Sequence, residues 1–172
     1  MPLLNASFLG HMPSQCRLCG TWPCFGATRC CAACLRQWAQ PLPRCSGCAR
    51  PMPASAPVGQ RCGACLSRPG PFTGVVAAMD YAFPWSHWAI DLKSEVNQGL
   101  ATCMASFMVN AWRLHSPVPE HFIWTGVPLH PDKLRARGFN QAWELARCCH
   151  KLTGSTKGLA APDVLMRTRW HE

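Results

Sequence analysis

The chain has 172 residues, which is enough for one ordinary domain or two small ones. It carries 17 lysines and arginines against 8 acidic residues, a formal net charge of +9, and the arginines are too scattered to form a basic arm. The longest apolar run, residues 100–109, is too short to span a bilayer, and the N-terminus lacks the basic start and apolar run of a signal peptide. These features predict a cytoplasmic protein with no membrane span, in which thiols stay reduced.

Four Cys-x-x-Cys pairs follow one another between residues 16 and 65. Each such turn points two thiolates at one place in space, and two turns supply the four sulfur ligands of a tetrahedral zinc. A redox Cys-x-x-Cys motif occurs singly, and a disulfide framework fits the odd total of 13 cysteines poorly. The pairs therefore predict two structural zinc ions. The predicted ligands are Cys16, Cys19, Cys31, Cys34, Cys45, Cys48, Cys62 and Cys65.

The spacing leaves the pairing of these ligands open. Sequential pairing places the first four cysteines on one zinc and the last four on the other, but nested or crossed pairing uses the same residues. Cys24 and Cys30 fall outside the spacing, and either could displace Cys31; we interpret both as spare thiols. Eight thiolates and two Zn²⁺ add −8 and +4 to the formal +9, which leaves a net charge of +5.

The composition changes after residue 70. The segment before it has few large aliphatic residues, so zinc is expected to substitute for an apolar core there. We predict a metal module over residues 14–70 and a second domain over residues 71–172. In the second domain, residues 72–81 are predicted to form a strand. Apolar residues at steps of three and four between residues 88 and 114 predict one amphipathic helix, or two helices kinked near residues 98–99.

The rest of the second domain has an α/β pattern. Residues 121–129 predict a buried strand that runs into a turn, and residues 130–140 predict a polar, basic loop. Asn140 is a suitable N-cap for an amphipathic helix, and Gly154 is a suitable residue to end it. Residues 155–172 show no periodicity and are expected to fray.

The basic loop contains Lys133, Arg135 and Arg137, between a buried strand and the start of a helix. In α/β folds this is the place where anions bind, beside basic side chains and the backbone N–H groups of the helix. An ordinary solvated loop is the alternative, and the physical argument alone does not separate the two.

The segment Val127-Pro-Leu-His-Pro-Asp-Lys-Leu-Arg-Ala-Arg-Gly-Phe-Asn-Gln141 closely resembles the signature of the ComF/GntX family. With the four cysteine pairs, the resemblance covers residues 14–155. Members look like type I phosphoribosyltransferases, an α/β fold that binds phosphoribosyl pyrophosphate with Mg²⁺, and they are linked to competence, the uptake of transforming DNA. The resemblance therefore implies an N-terminal double zinc ribbon, with four cysteines at each zinc, followed by a phosphoribosyltransferase-like domain. The residues that it places beside a pyrophosphate are Arg135, Arg137, Gly138 and Asn140.

Two parts of a type I phosphoribosyltransferase are missing from the sequence. These enzymes carry a later strand that ends in two adjacent acids, and a Thr-Thr-Gly-Ala-Thr-like loop whose backbone amides hold the 5′-phosphate. Here no two of the 8 acidic residues are adjacent, and no such loop occurs. We therefore expect an incomplete domain, a chain cut short by a frameshift, an early stop or a gene-model error. No catalytic residue is assigned, and Mg²⁺ and phosphoribosyl pyrophosphate are expected only of full-length relatives.

A second hypothesis needs no enzymatic activity. A zinc module with a basic balance can bind single-stranded DNA or a protein, and Trp22 and Trp38 are candidate surfaces for base stacking. Tryptophans in small modules are more often packing residues. Single-stranded DNA and proteins of the competence machinery are thus the candidate partners.

Overall fold

A computed structural model of the chain describes residues 13–26, 28–39, 42–94, 97–115, 122–154 and 158–167. The helices and strands in these ranges are α1 (Ala32–Trp38), α2 (Gly63–Ser67), α3 (Trp85–Ser94), α4 (Gln98–His115), β1 (Phe122–Trp124), α5 (Pro131–Arg137), α6 (Gln141–Thr153) and β2 (Gly158–Ala160). A 3-10 turn follows at Pro162–Val164. The predictions for residues 121, 155–157 and 168–172 lie outside the described residues.

The N-terminal part of the chain forms the same local structure twice. Each unit is a tight turn that carries one cysteine pair, followed by a short helix whose N-cap and first turn carry the other pair. In the first unit the N–H of Cys16 donates to the C=O of Thr21 (2.9 Å), and in the second the N–H of Cys45 donates to the C=O of Arg50 (2.9 Å). Helices α1 and α2 begin directly after the third cysteine of their unit. The equivalent backbone hydrogen bonds show that the two units share the same backbone conformation at the turn.

Residues 72–81, all of which the structure describes, contain no strand, so that prediction was wrong. The N–H of Val75 donates to the C=O of Ser46 (3.0 Å), and the guanidinium of Arg61 donates to the C=O of Thr73 (3.3 Å). The segment is thus tied to the second cysteine unit and not to a neighbouring strand. A segment with strand propensity forms a strand only where a neighbouring strand accepts and donates its backbone hydrogen bonds. Here the segment instead makes hydrogen bonds with the second cysteine unit.

Helices α3 and α4 are the two helices that the apolar pattern predicted, with the break before Gln98. The Oδ1 of Asn97 accepts the N–H of Leu100 (2.9 Å) and so starts α4. Leu114 is 73% exposed, which shows that the apolar stripe leaves the core in the last turn of α4. Large residues of the stripe that are buried in the core are Trp88, Leu92, Leu100, Cys103 and Phe107.

Helix α6 packs along α4 and has the two ends that the sequence predicted. The Oδ1 of Asn140 accepts the N–H groups of Ala142 (2.9 Å) and Trp143 (3.4 Å), and Gly154 ends the helix with a φ of +59°. A left-handed conformation at this position costs glycine little because it has no Cβ. These caps fix where α6 begins and ends.

Strands β1 and β2 pair in parallel, with Phe122 opposite Gly158 and Trp124 opposite Ala160. The expectation that residues 155–172 fray was therefore wrong for β2. A Cβ at position 158 would come within 2.7 Å of the Phe122 ring, so any larger residue would require that ring to shift. The parallel pair beside helices makes this half mixed α/β, the coarse class that the sequence predicted. The finer assignment to a phosphoribosyltransferase-like domain stays a prediction.

Most of the basic loop predicted over residues 130–140 is a helix, α5, so the loop prediction was wrong. His130 is its N-cap, with the imidazole accepting the N–H of Asp132 (3.3 Å), and Pro131 occupies the first helical position. Gly138 ends the helix with a φ of +78°. Proline at the first position and glycine after the last are the usual signals for a short helix.

The N-terminal units pack against the helices. The indole N–H of Trp85 donates to the C=O of Trp38 (3.1 Å), and the ring of Trp38 meets that of Phe83 edge to face at 5.2 Å. Leu18 and Leu35 also contact the core of the helical half. The boundary near residue 70 stays a prediction. None of the described helices is both long and apolar enough to cross a membrane.

Candidate metal centres

The structure brings the eight predicted zinc ligands together as two groups of four. In each group the Sγ atoms all lie within 4.8 Å of one another, and no disulfide joins any of them. The grouping follows the sequential pairing, not the nested or crossed alternatives. The first group is Cys16, Cys19, Cys31 and Cys34, and the second is Cys45, Cys48, Cys62 and Cys65.

The separations between sulfur atoms fit a tetrahedral metal. A zinc with Zn–S bonds of about 2.3 Å places its sulfur ligands about 3.8 Å apart. The Sγ atoms of Cys19 and Cys31 are 3.6 Å apart, and those of Cys48 and Cys62 are 3.8 Å apart. Four thiols at these separations form a donor set that suits zinc.

Backbone N–H groups point at one sulfur in each group. The N–H of Cys31 donates to the Sγ of Cys16 (3.3 Å), and the N–H of Cys62 donates to the Sγ of Cys45 (3.2 Å). Cys45 also accepts from the N–H of Gly47 (3.4 Å). Such bonds favour the thiolate over the thiol and hold the ligand in place around a metal.

Gly47 leaves room for the fourth ligand of the second group. A Cβ built at this position would lie 3.1 Å from the Sγ of Cys65. The small residue between the first two cysteines therefore allows the α2 cysteine to approach the turn. The cysteine spacing does not predict the role of Gly47, although a glycine inside a Cys-x-x-Cys turn is a usable signal for close approach.

The thiols within each group differ in how readily they ionise. A hydrogen bond with the Thr21 hydroxyl lowers the pKa of Cys19 to about 6, and the backbone N–H of Cys62 lowers the pKa of Cys45 to about 6. In contrast, the pKa of Cys34 is raised by burial, and the pKa of Cys65 is raised to about 12 by its hydrogen bond with Cys48. A divalent cation would offset the accumulating negative charge, so binding a metal would release protons from the last thiols.

The spare thiols lie in different places. Cys30 is buried in the core of the helical half, in the same apolar cluster as Cys103, and its thiol is not among the four of the first group. Cys31 and not Cys30 is therefore the member of the first group. Cys24 is buried against the first group, in contact with Cys16 and Cys34.

The four residues predicted to lie beside a pyrophosphate lie in the last turn of α5 and in the connection from α5 to α6. The guanidinium of Arg135 pairs with Asp132 (2.7 Å), and that of Arg137 donates to the side chain of Gln141 (2.5 Å). Gly138 and Asn140 are the caps between the two helices, and Asn140 also donates to the C=O of Val127 (3.1 Å). Their role toward an anion stays a prediction.

The chain is similar to two curated proteins of the same name. It is 31% identical over 136 residues to DNA utilization protein YhgH of Salmonella typhi, a match that covers 76% of this chain and 58% of the relative. It is 30% identical over 136 residues to DNA utilization protein YhgH of Salmonella typhimurium strain LT2, with the same coverage. The match thus spans less than two thirds of these relatives. No family model and no solved structure matches the chain.

Proposed function

We propose that each group of four cysteines holds one structural zinc ion. The observation that supports this is the convergence of eight thiols into two sets of the right size and number for tetrahedral Zn²⁺. The residues around them bury few large apolar side chains, so metal binding would supply much of their folding free energy. The zinc ions stabilise the fold of the N-terminal units, and their role is structural.

We infer further that the chain is a ComF-type protein that works in DNA uptake and utilization in the cytoplasm. This rests on the similarity to proteins named for DNA utilization over 136 residues, together with the signature segment and the two cysteine groups. Proteins of the competence machinery are its proposed partners.

We propose that these 172 residues do not catalyse phosphoribosyl transfer. The sequence offers no adjacent acidic pair and no loop of the kind that holds a 5′-phosphate. The two arginines in the last turn of α5 would still contact a pyrophosphate. Saturable binding of phosphoribosyl pyrophosphate that is lost in Arg135→Ala/Arg137→Ala would support this. The matched control is Arg113→Ala/Lys151→Ala, which removes two cations on α4 and α6; equal loss in both double variants would count against the assignment.

The second candidate function is binding of single-stranded DNA by the N-terminal units. The first 79 residues contain seven arginines and no Asp or Glu, which leaves them positive even with eight thiolates and two zinc ions. Trp22 is 60% exposed and Phe25 is 58% exposed, whereas Trp38 packs against Phe83 and Trp85. The structure therefore favours Trp22 and Phe25 over Trp38 as faces on which bases would stack.

Fluorescence anisotropy with a labelled oligonucleotide tests this second candidate. The zinc-loaded protein is expected to bind single-stranded DNA with an affinity that falls as salt increases, because arginine–phosphate contacts release counterions. Trp22→Ala should weaken binding by about 1–3 kcal/mol, the usual contribution of one stacked base. Val58→Ala, another exposed apolar truncation in the same half, is the control. Equal affinity of the wild-type protein and Trp22→Ala would contradict the stacking role.

A further inference from the structure

The first cysteine group has a fifth thiol beside it. The side chain of Cys24 is 2% exposed and forms one buried cluster with Cys16 and Cys34. Its Sγ lies outside the set of four that all fall within 4.8 Å of one another, so it is a neighbour of the group and not a fifth member.

The second group carries a methionine where the first carries Cys24. The N–H of Cys24 donates to the C=O of Ser14 (2.7 Å), two residues before the first cysteine of its unit. In the second unit the N–H of Met52 donates to the C=O of Pro43 (2.8 Å), which is also two residues before the first cysteine. The two backbone positions therefore correspond, but a thioether does not replace a thiolate as a zinc ligand.

Each group also has one ligand that solvent reaches more easily than the others. Cys19 in the first group and Cys48 in the second are exposed, whereas Cys16 and Cys45 are buried. The exposed ligand is the one most open to oxidation or to modification by an electrophile. Loss of that ligand leaves three thiolates in either group, but only the first has another thiol in contact with it.

We propose that Cys24 is a reserve zinc ligand for the first group. When Cys19 is unavailable, the Sγ of Cys24 loses its proton to solvent, binds the zinc and restores four sulfur ligands with Cys16, Cys31 and Cys34. The first site thereby retains its zinc after loss of its exposed ligand, whereas the second site loses its zinc when its exposed ligand is lost. This rests on the proposal that both groups hold zinc.

Serine substitutions at the exposed ligands test whether only the first group has a reserve ligand. After dialysis against a chelator that strips weakly held metal, native mass spectrometry should count two zinc ions in the wild-type protein, in Cys19→Ser and in Cys24→Met. It should count one in Cys48→Ser and one in Cys19→Ser/Cys24→Met. The Co²⁺ spectrum of Cys19→Ser should show four sulfur ligands at both sites. Met52→Cys added to Cys48→Ser should restore the second zinc ion.

The following zinc counts would overturn the proposal that Cys24 is a reserve ligand. One zinc ion in Cys19→Ser would show that Cys24 does not replace the missing ligand. Two in Cys48→Ser, or two in Cys19→Ser/Cys24→Met, would show that three thiolates suffice without a reserve. Failure of Met52→Cys to restore zinc would show that this backbone position cannot supply a ligand. A wild-type protein without zinc would instead contradict the proposed function itself.

Discussion

At the scale of single residues, the thiols of each cysteine group differ in pKa, and so in how readily each would bind a cation. Hydrogen bonds that lower the pKa prepare Cys19 and Cys45 as thiolates near neutral pH, whereas Cys34 and Cys65 keep their protons in the absence of a metal. The Cys-x-x-Cys spacing alone predicted which residues would converge. It could not predict this difference, because the difference comes from burial and from hydrogen bonds made elsewhere in the chain.

Zinc binding should therefore be coupled to protons. At pH 7, binding should release protons from Cys34 and Cys65, because their pKa values are raised in the metal-free protein. The pKa values of Cys19 and Cys45 are lowered to about 6, so the stabilisation that their thiolates give is present at high pH and is lost as the pH falls through about 6. Zinc affinity should therefore already decrease as the pH falls from 7, and it should decrease more steeply below about pH 6. Calorimetric titration in buffers of different ionisation heat measures the protons; binding heats independent of the buffer would contradict this.

Gly126 is a position where any side chain should destabilise the protein. A Cβ there would lie 2.4 Å from the backbone N of Trp143, at the start of α6, and backbone cannot move aside cheaply. Gly126→Ala should cost about 1–3 kcal/mol or more of unfolding free energy, as overpacking does. Gly70→Ala, where no atom lies within 4 Å, is the matched control and should leave the melting temperature nearly unchanged. Similar melting temperatures for both variants would contradict the close approach of Gly126 to the start of α6.

Asn140 should contribute to stability through its cap. Its Oδ1 accepts two N–H groups of α6, and its Nδ2 donates to Val127. Asn140→Ala should lower the unfolding free energy by about 1 kcal/mol, the typical contribution of an N-cap. Asn140→Asp keeps the accepting oxygen and should retain most of that contribution in a denaturant titration. Equal destabilisation of the two variants would place the effect in the bond to Val127 instead.

At the scale of elements, the sequence predicted those whose signals are local. The steps of three and four residues gave α3, α4 and α6, and Asn140 and Gly154 marked the ends of α6. The strand over residues 72–81 failed because its backbone bonds to the second cysteine unit. Helix α5 was missed because its basic side chains suggested a loop, although Pro131 and Gly138 are helix signals. Strand β2 could not be predicted, because three residues carry no periodicity and the pairing with β1 is non-local.

Removal of metal should affect the elements unequally. Helices α1 and α2 each begin after one metal-group cysteine and contain another, whereas α4 and α6 pack on each other. A strong chelator should therefore abolish the near-ultraviolet circular dichroism that arises where Trp85 meets Trp38, and should spare most of the far-ultraviolet helical signal. Addition of Zn²⁺ should restore the former. Unchanged near-ultraviolet spectra in chelator would show that the N-terminal units fold without metal.

At the scale of the whole molecule, charge and metal are distributed unevenly. The cysteine groups and seven arginines lie before the first acidic residue, Asp80, and all 8 acidic residues lie from there onward. An ion pair between Arg44 and Asp80 (2.9 Å) links the two parts. A polyanion is therefore expected to contact the N-terminal part.

The sequence predicted the N-terminal half well because metal ligands are spaced by local turns, whereas the α/β half depends on non-local pairing.

The most direct test of this account is the metal content of the purified protein, measured by mass spectrometry under native and denaturing conditions. We expect two zinc ions per chain under native conditions, and a denatured mass that corresponds to 13 reduced cysteines. A native mass without metal, or a denatured mass that shows paired disulfides, would contradict the central claim that two zinc sites organise the N-terminal half.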